Sequence, residues 1–253
     1  MKITKRDWEF DKKIKKLPND WLDYHQLMLL ENKELGMAEQ WKFIVHHVQR
    51  DAAKSLFYAN SNQHPFGHKM IKKNNRIVFS SQIIQKAFYL RYCILLLQAC
   101  GDKLAQMIRW AMNISTWKLK QNKRIKKIKA TDDTTSLTML ARYLKLHKRK
   151  DKAILKEIDA YLKNDSVGRI VFQLANEIKH KWTTSYQGEG LYPFKKPMRQ
   201  EQDKSGKMFD VLTISMENGI NIDRHIKDAL VTNNLFVDLA IKLDALLKKN
   251  LKI

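Results

Sequence analysis

Between Ser166 and Trp182 the chain reads SVGRIVFQLANEIKHKW, and its polar residues are of the types that hold phosphate and move protons. His180 offers an imidazole that titrates near neutrality, and Arg169 a guanidinium that can grip a phosphate through two parallel hydrogen bonds. Asn176 stands one helical turn before His180, where its amide can orient the ring. On a helix turning about 100° per residue, Arg169, Gln173, Asn176 and His180 fall on one face. Val167, Val171, Leu174, Ile178 and Trp182 fall on the other. With about 1.5 Å of rise per residue, Arg169 and His180 lie roughly 16 Å apart along the axis. The spacing fits a reaction site and equally fits the solvated face of an amphipathic helix.

A second constellation is basic. Residues 117–129 read WKLKQNKRIKKIK, and Lys118, Lys120, Lys123, Arg124, Lys126, Lys127 and Lys129 are candidate phosphate contacts, as is Lys179 beside His180. The run 145–152 adds further lysines. From Ala52 through Thr131 the only acidic residue is Asp102, and the whole chain carries a formal net charge of +22. A surplus of that size suits a polyanionic partner (RNA, DNA or an anionic membrane surface), and several engaged lysines would make binding to nucleic acid steeply salt-dependent. The competing reading is an exposed loop whose lysines serve solubility. Trp117 and Tyr143 suit either base stacking or core packing. Too few large apolar residues accompany the lysines for a helix lying deep in a membrane surface.

Other chemistries find no footing. The eight histidines are scattered without HExxH or CxxC spacing, and His64 and His68 straddle Pro65 and Gly67 with no carboxylate nearby. Neither a metal nor a cofactor is expected. No phosphate-binding glycine loop, dinucleotide fingerprint or nucleophile elbow occurs. Cys93 and Cys100 lie seven apart on one helix face, about 10 Å, which excludes a disulfide between them and predicts buried free thiols.

The elements that would position these groups are mainly helices. A chain of 253 residues, 44% apolar and 29% charged, with eight Gly and four Pro, predicts a globular, mainly all-α fold. Residues 1–18 form a short helix or arm, and Asn19-Asp20 cap a helix carrying Trp21, Leu22, Tyr24, Leu27 and Leu30, interrupted at Gly36. A second helical pattern runs from Met37 to about Asn60, with His46, Gln49 and Arg50 on its polar face. Asn60 to Asn75 has the composition of a loop. Ser80 and Ser81 cap the longest helix, to about Ile114, apolar nearly all round and so expected at the centre of a bundle. Gly101 within it marks a close crossing or a kink. Its greasiest run, Cys93 to Leu97, is too short to span a bilayer, and no membrane insertion is expected. Asp132-Asp133 cap the next helix, another covers Ala153 to Leu162, and Asn164-Asp165-Ser166 cap the helix of the polar stripe. A hairpin at about 188–217, pairing Leu191–Met198 with Met208–Met216, precedes a final helix over Ile222–Lys249. The expected architecture is one helical domain over 1–253, an up-and-down bundle with residues 1–78 as an N-terminal extension and 79–253 as the core. No apolar leader opens the chain, which predicts a cytoplasmic protein.

The segment Ala175-Asn176-Glu177-Ile178-Lys179-His180, preceded by long helices, resembles the signature of the HEPN superfamily, in which a helix carries Arg, a polar residue and then His. Ala175 stands where the Arg would be. The long helix with Asp102-Lys103 is similar to the second core helix of such domains. The resemblance covers residues 80 to 250 and implies a compact helical bundle, homodimeric, acting on RNA. Where the family's chemistry is present it is metal-independent RNA cleavage of the toxin or phage-defence type, with an antitoxin or a nucleotidyltransferase as partner. Carried over here, His180 would be the acid–base, Asn176 its orienting neighbour and Arg169 the phosphate ligand. The alternative is a non-catalytic module binding nucleic acid, nucleotide or a partner protein.

Overall fold

The computed structural model describes residues 4–22, 33–61, 70–73, 76–121, 124–146, 152–163, 167–180, 186, 199–202, 208–211 and 221–251. Among them the fold is a helical bundle. Helix α1 spans Lys5–Asp11, α2 Lys33–Asn60, α3 Ser81–Ala111, α4 Leu137–Leu146, α5 Lys152–Tyr161, α6 Val167–His180 and α7 Ile222–Leu251. Three two-stranded antiparallel hairpins join them: β1 Met70–Lys73 with β2 Arg76–Ser80, β3 Thr116–Gln121 with β4 Arg124–Lys129, and β5 Arg199–Gln202 with β6 Met208–Val211.

Helix α3 is the axis of the bundle. Its first half carries Ala87, Leu90, Ile94 and Leu97, which pack with Ala52 and Leu56 of α2, Val171, Leu174 and Ile178 of α6, and Ile226 and Ala229 of α7. Its second half carries Cys100, Leu104 and Ile108, which pack with α4, α5, the middle of α7 (Phe236, Ala240, Leu243) and the N-terminal residues Leu17 and Trp21. Each fully buried Leu or Ile contributes about 1.5–3 kcal/mol relative to exposure. Gly101 makes the crossing close: a Cβ there would stand 3.1 Å from Phe172 Cζ and 3.2 Å from Leu137 Cδ1, on α6 and α4. Both cysteines are buried and free, and burial pushes their thiols up, which suits inert core residues.

The N-terminal residues are stitched to α7 by buried amides. Gln49 Oε1 accepts from Leu17 N at 2.9 Å, and its Nε2 donates to Asn233 Oδ1 at 2.9 Å and Lys15 O at 3.1 Å. Asn233 Nδ2 donates to Lys15 O, and Asn234 Nδ2 to Lys13 O, both at 2.9 Å. Lys42, 1% exposed, reaches Asp244 at 2.9 Å and lies over the Trp21 ring, tying α2 to α7. His46 and Gln49, expected on a polar face of α2, are therefore interior residues, because the segment around Leu17 and Trp21 covers them.

Several local expectations are corrected. Helix α2 begins at Lys33 and runs through Gly36, where a Cβ would meet nothing within 4 Å, so Gly36 does not interrupt it. The described part of the Asn19 segment is a short 3-10 turn, Asn19–Trp21, and residues 23–32 lie outside the described residues. The expected loop contains the β1–β2 hairpin, in which β-branched and aromatic residues (Ile71, Ile77, Val78, Phe79) favour extended chain. Helix α4 is started by Ser136, whose Oγ accepts from Met139 N at 3.2 Å, while Asp132 bonds elsewhere. The expected cap of α6 at 164–166 lies outside the described residues. The hairpin before α7 is present, but β6 pairs with Arg199–Gln202 in place of Leu191–Met198, with five intervening residues, a shorter and entropically cheaper closure. Helix α3 is not sheltered all round, since Phe88 is 63% and Tyr92 47% exposed. Its 31 residues also meet the length and composition of a membrane span, more than the Cys93–Leu97 run alone suggests, although it is the helix on which the bundle packs.

Candidate functional site

The two constellations meet different fates. On α6, Ala175 is 0% exposed and packs in the core beside Leu174 and Ile178, so a longer side chain at that position would point into the bundle. Asn176 is exposed, and its Oδ1 accepts a hydrogen bond from Gln98 Nε2 of α3 at 3.1 Å. One turn further along both helices, burial raises the Asp102 carboxyl above its usual value, and Lys179 and Lys103 draw it partly back. Of the polar stripe of α6, Asn176 is thus tied to α3, and Lys179, beside the stripe, stands close enough to Asp102 for its charge to act on the carboxyl. Arg169 is exposed near the start of α6, and His180 is the last residue of the helix, its side chain outside the described residues. One continuous helix separates them, so the chain does not bring Arg169 and His180 together.

The other side of α6 faces a buried pair that sequence reasoning missed. Tyr186, fully buried, has its hydroxyl 3.2 Å from His225 Nδ1 of α7, and Arg91 lies 5.4 Å over its ring. Burial lowers the His225 pKa, Asp228 and Glu177 raise it, and Arg224 lowers it further. No spacing rule links residues 91, 186 and 225, so only the fold could bring them together. A groove between α1 and α2 was also missed. It encloses about 380 Å³ and is lined by Trp8, Asp11, Lys16, Arg50, Asp51, Lys54 and Phe57. Arg50 and Lys54, one turn apart on α2, were the available signal. Arg50 Nη1 donates to Asn19 Oδ1 at 2.6 Å, and Lys16 pairs with Asp11 at 2.9 Å.

The basic stretch is a hairpin with a fixed base. Helix α3 stops at Ala111, and Asn113 takes φ 51°, a left-handed conformation that Asn tolerates. Ile114 N then donates to Arg109 O at 2.9 Å and Asn113 N to Trp110 O at 3.0 Å, the paired bonds of a Schellman stop that turns the chain into β3. Arg109, 6% exposed, holds the far end of the ribbon. Its Nη1 donates to Ala130 O at 2.9 Å, its Nη2 to Asp132 Oδ1 at 3.2 Å and its Nε to Gln106 Oε1 at 2.8 Å. Ala130 N donates to Ser115 O at 3.0 Å across the base. Trp117 is 0% exposed and meets the Tyr143 ring edge-on at 5.5 Å, so the core reading of Trp117 holds.

The register pairs Thr116 with Lys129, Trp117 with Ile128, Lys118 with Lys127, Leu119 with Lys126, Lys120 with Ile125 and Gln121 with Arg124. Alternation therefore places Trp117 and Ile128 on the face packed against the bundle, and Lys118, Ile125, Lys127 and Lys129 on the open face. Lys118, Lys126, Lys127 and Lys129 are exposed. The side chains of Lys120 and Arg124 lie outside the described residues, as does Lys123 altogether. Among the described residues none of the four exposed lysines takes part in a salt bridge, whereas Lys15, Lys42, Lys145, Lys242 and Lys248 do. Two lysines directly opposite one another on a ribbon destabilise it by about 0.2–1 kcal/mol. An anion laid across them would reverse that sign. The chain matches no family model, no curated protein and no solved structure, and what it does is read from this geometry.

Proposed function

We propose that the protein is a nucleic-acid-binding helical bundle whose β3–β4 ribbon supplies the phosphate contacts. The observation that carries this reading is the cross-strand pair Lys118–Lys127, flanked by Lys129, on a face with no acidic partner among the described residues. Phosphate is the anion in the right supply: successive phosphates of a nucleic acid present a row of charges to a row of ammonium groups, and the released counterions drive binding. The anchoring by Arg109 and Trp117 supports the same reading, since a ribbon held at its base keeps its lysines in register.

The non-catalytic form of the reading is better supported than a ribonuclease using His180, Asn176 and Arg169. Ala175 is interior, Asn176 is bonded to Gln98, and Arg169 stands at the opposite end of α6 from His180. The test is binding of labelled nucleic acid across a salt series, for the native chain and for the triple variant Lys118→Gln, Lys127→Gln, Lys129→Gln. The slope of log affinity against log salt is expected to fall by about 0.7–0.9 for each contact removed. An unchanged slope would return these lysines to the role of solubilising charge. Incubation with mixed RNA in chelator is expected to leave the RNA intact, and cleavage lost in His180→Ala would restore the ribonuclease.

A further inference from the structure

Resting on that reading, we infer that the open face of the ribbon seats in the major groove of B-form duplex DNA, with Ile125 against a thymine methyl and Lys118, Lys127 and Lys129 on the flanking phosphates. The first support is the element itself. Two strands of six residues make a ribbon about 17–20 Å long, with strands about 4.8 Å apart. A two-stranded ribbon fits the major groove of B-form DNA, about 12 Å wide, whereas the major groove of A-form RNA is too narrow for side chains to read.

The second support is what the ribbon lacks. Single strands are bound on aromatic platforms, where each unstacked base finds a ring. The only aromatic residue in β3 or β4 is Trp117, and it is 0% exposed, edge-on to Tyr143 within the core. A basic element without an exposed ring suits a partner whose bases are already stacked.

The third is Ile125. It is 66% exposed, among the most exposed large apolar residues of the protein, and it stands on the same face as the lysines. Ile128, on the packed face, touches the core, so the ribbon spends one isoleucine on folding and leaves the other outside. An aliphatic side chain ringed by cations suits a groove with phosphate walls and an apolar spot on its floor. In the major groove that spot is the C5-methyl of thymine. Lysine stems are long enough to lie along the groove and carry their ammonium groups out to the walls.

The test uses the full chain and four labelled partners of equal length at matched salt: duplex DNA, the same duplex with uracil for every thymine, duplex RNA and single-stranded RNA. Thymine-containing duplex DNA is expected to bind at least tenfold more tightly than either RNA. Replacing thymine by uracil is expected to weaken binding about fourfold, the value of burying one methyl group. Ile125→Ala is expected to lose about the same factor on the thymine duplex, to lose nothing further on the uracil duplex, and to leave the salt slope unchanged. Circular dichroism matching the native chain checks that the variant folds. Equal affinity for duplex DNA and either RNA, or an equal loss by Ile125→Ala on both DNA duplexes, overturns the groove assignment while leaving phosphate binding intact. Failure to bind any of the four removes the proposed function with it.

Discussion

Lys42 and Arg109 sit inside the bundle, each against a carboxylate, while Lys118, Lys127 and Lys129 stand outside it with none among the described residues. The same charge does two kinds of work. An interior cation must be compensated, because an unpaired charge in a low dielectric costs several kcal/mol, and both interior cations are fixed to specific atoms. A cation on the open ribbon is tolerated without a partner because water screens it, and remains available to one. The buried set belongs to stability, and the proposal assigns the open set to binding.

The sharpest way to break that division is Lys42→Ala. It leaves Asp244 with only Lys248, at 3.4 Å, and is expected to lower stability by about 3 kcal/mol in urea unfolding, with the salt slope of nucleic-acid binding unchanged. Lys42→Met, which gives up the ammonium over Trp21 but keeps an apolar stem of similar length in the core, should lose less. Next in size is Arg109→Ala, expected to cost about 2–3 kcal/mol for hydrogen bonds lost at Ala130 O and Gln106 Oε1. Its pair with Asp132 adds little, because Asp132 is 62% exposed. This variant crosses the division: by loosening the base of the ribbon it should weaken binding as well, and a lysine in its place should rescue neither fully. The triple glutamine variant of the ribbon should do the reverse. Its unfolding midpoint is expected to stay level or rise by the equivalent of about 0.2–1 kcal/mol as like charges stop facing each other.

The smallest effect concerns pH. Burial holds the imidazoles of His46 and His225 below the usual value of 6.5 in the folded chain. The unfolded chain then binds protons first as pH falls, so stability decreases from about pH 6.5 downward through the lower folded values. His225→Phe should flatten that decline in urea titrations at pH 5 and 7.5. A decline as steep as in the native chain would show that carboxylates or His46 carry it.

The bundle was legible because helical periodicity is a property of neighbours in sequence. Ser80 as a cap, Gly101 as a crossing and the two cysteines as buried thiols all follow from local chemistry, and all are where the pattern puts them. The two extra hairpins were hidden for opposite reasons. In β1–β2 the strands are short and their polar surroundings read as loop, whereas in β3–β4 the lysine density masked an alternation in which Trp117, Leu119 and Ile128 mark the inner face. The site was half legible. Charge located the ribbon, but only its register reveals that Lys118 faces Lys127 and that Ile125 shares their face. On α6, Gln98, the partner of Asn176, is 78 residues away, and no local rule could supply it.

The amide clamp between the N-terminal segment and α7 has a consequence for synthesis. Asn233 and the Lys15 carbonyl that it bonds are 218 residues apart, so the clamp closes only after all the residues between them have been made. At about 5–20 residues per second, Leu17 and Trp21 wait ten seconds or more for the helix that completes their shelter. Over that interval the nascent chain exposes an apolar edge and a long run of cations beside ribosomal RNA. Helix α7 is the element that shuts this part of the fold.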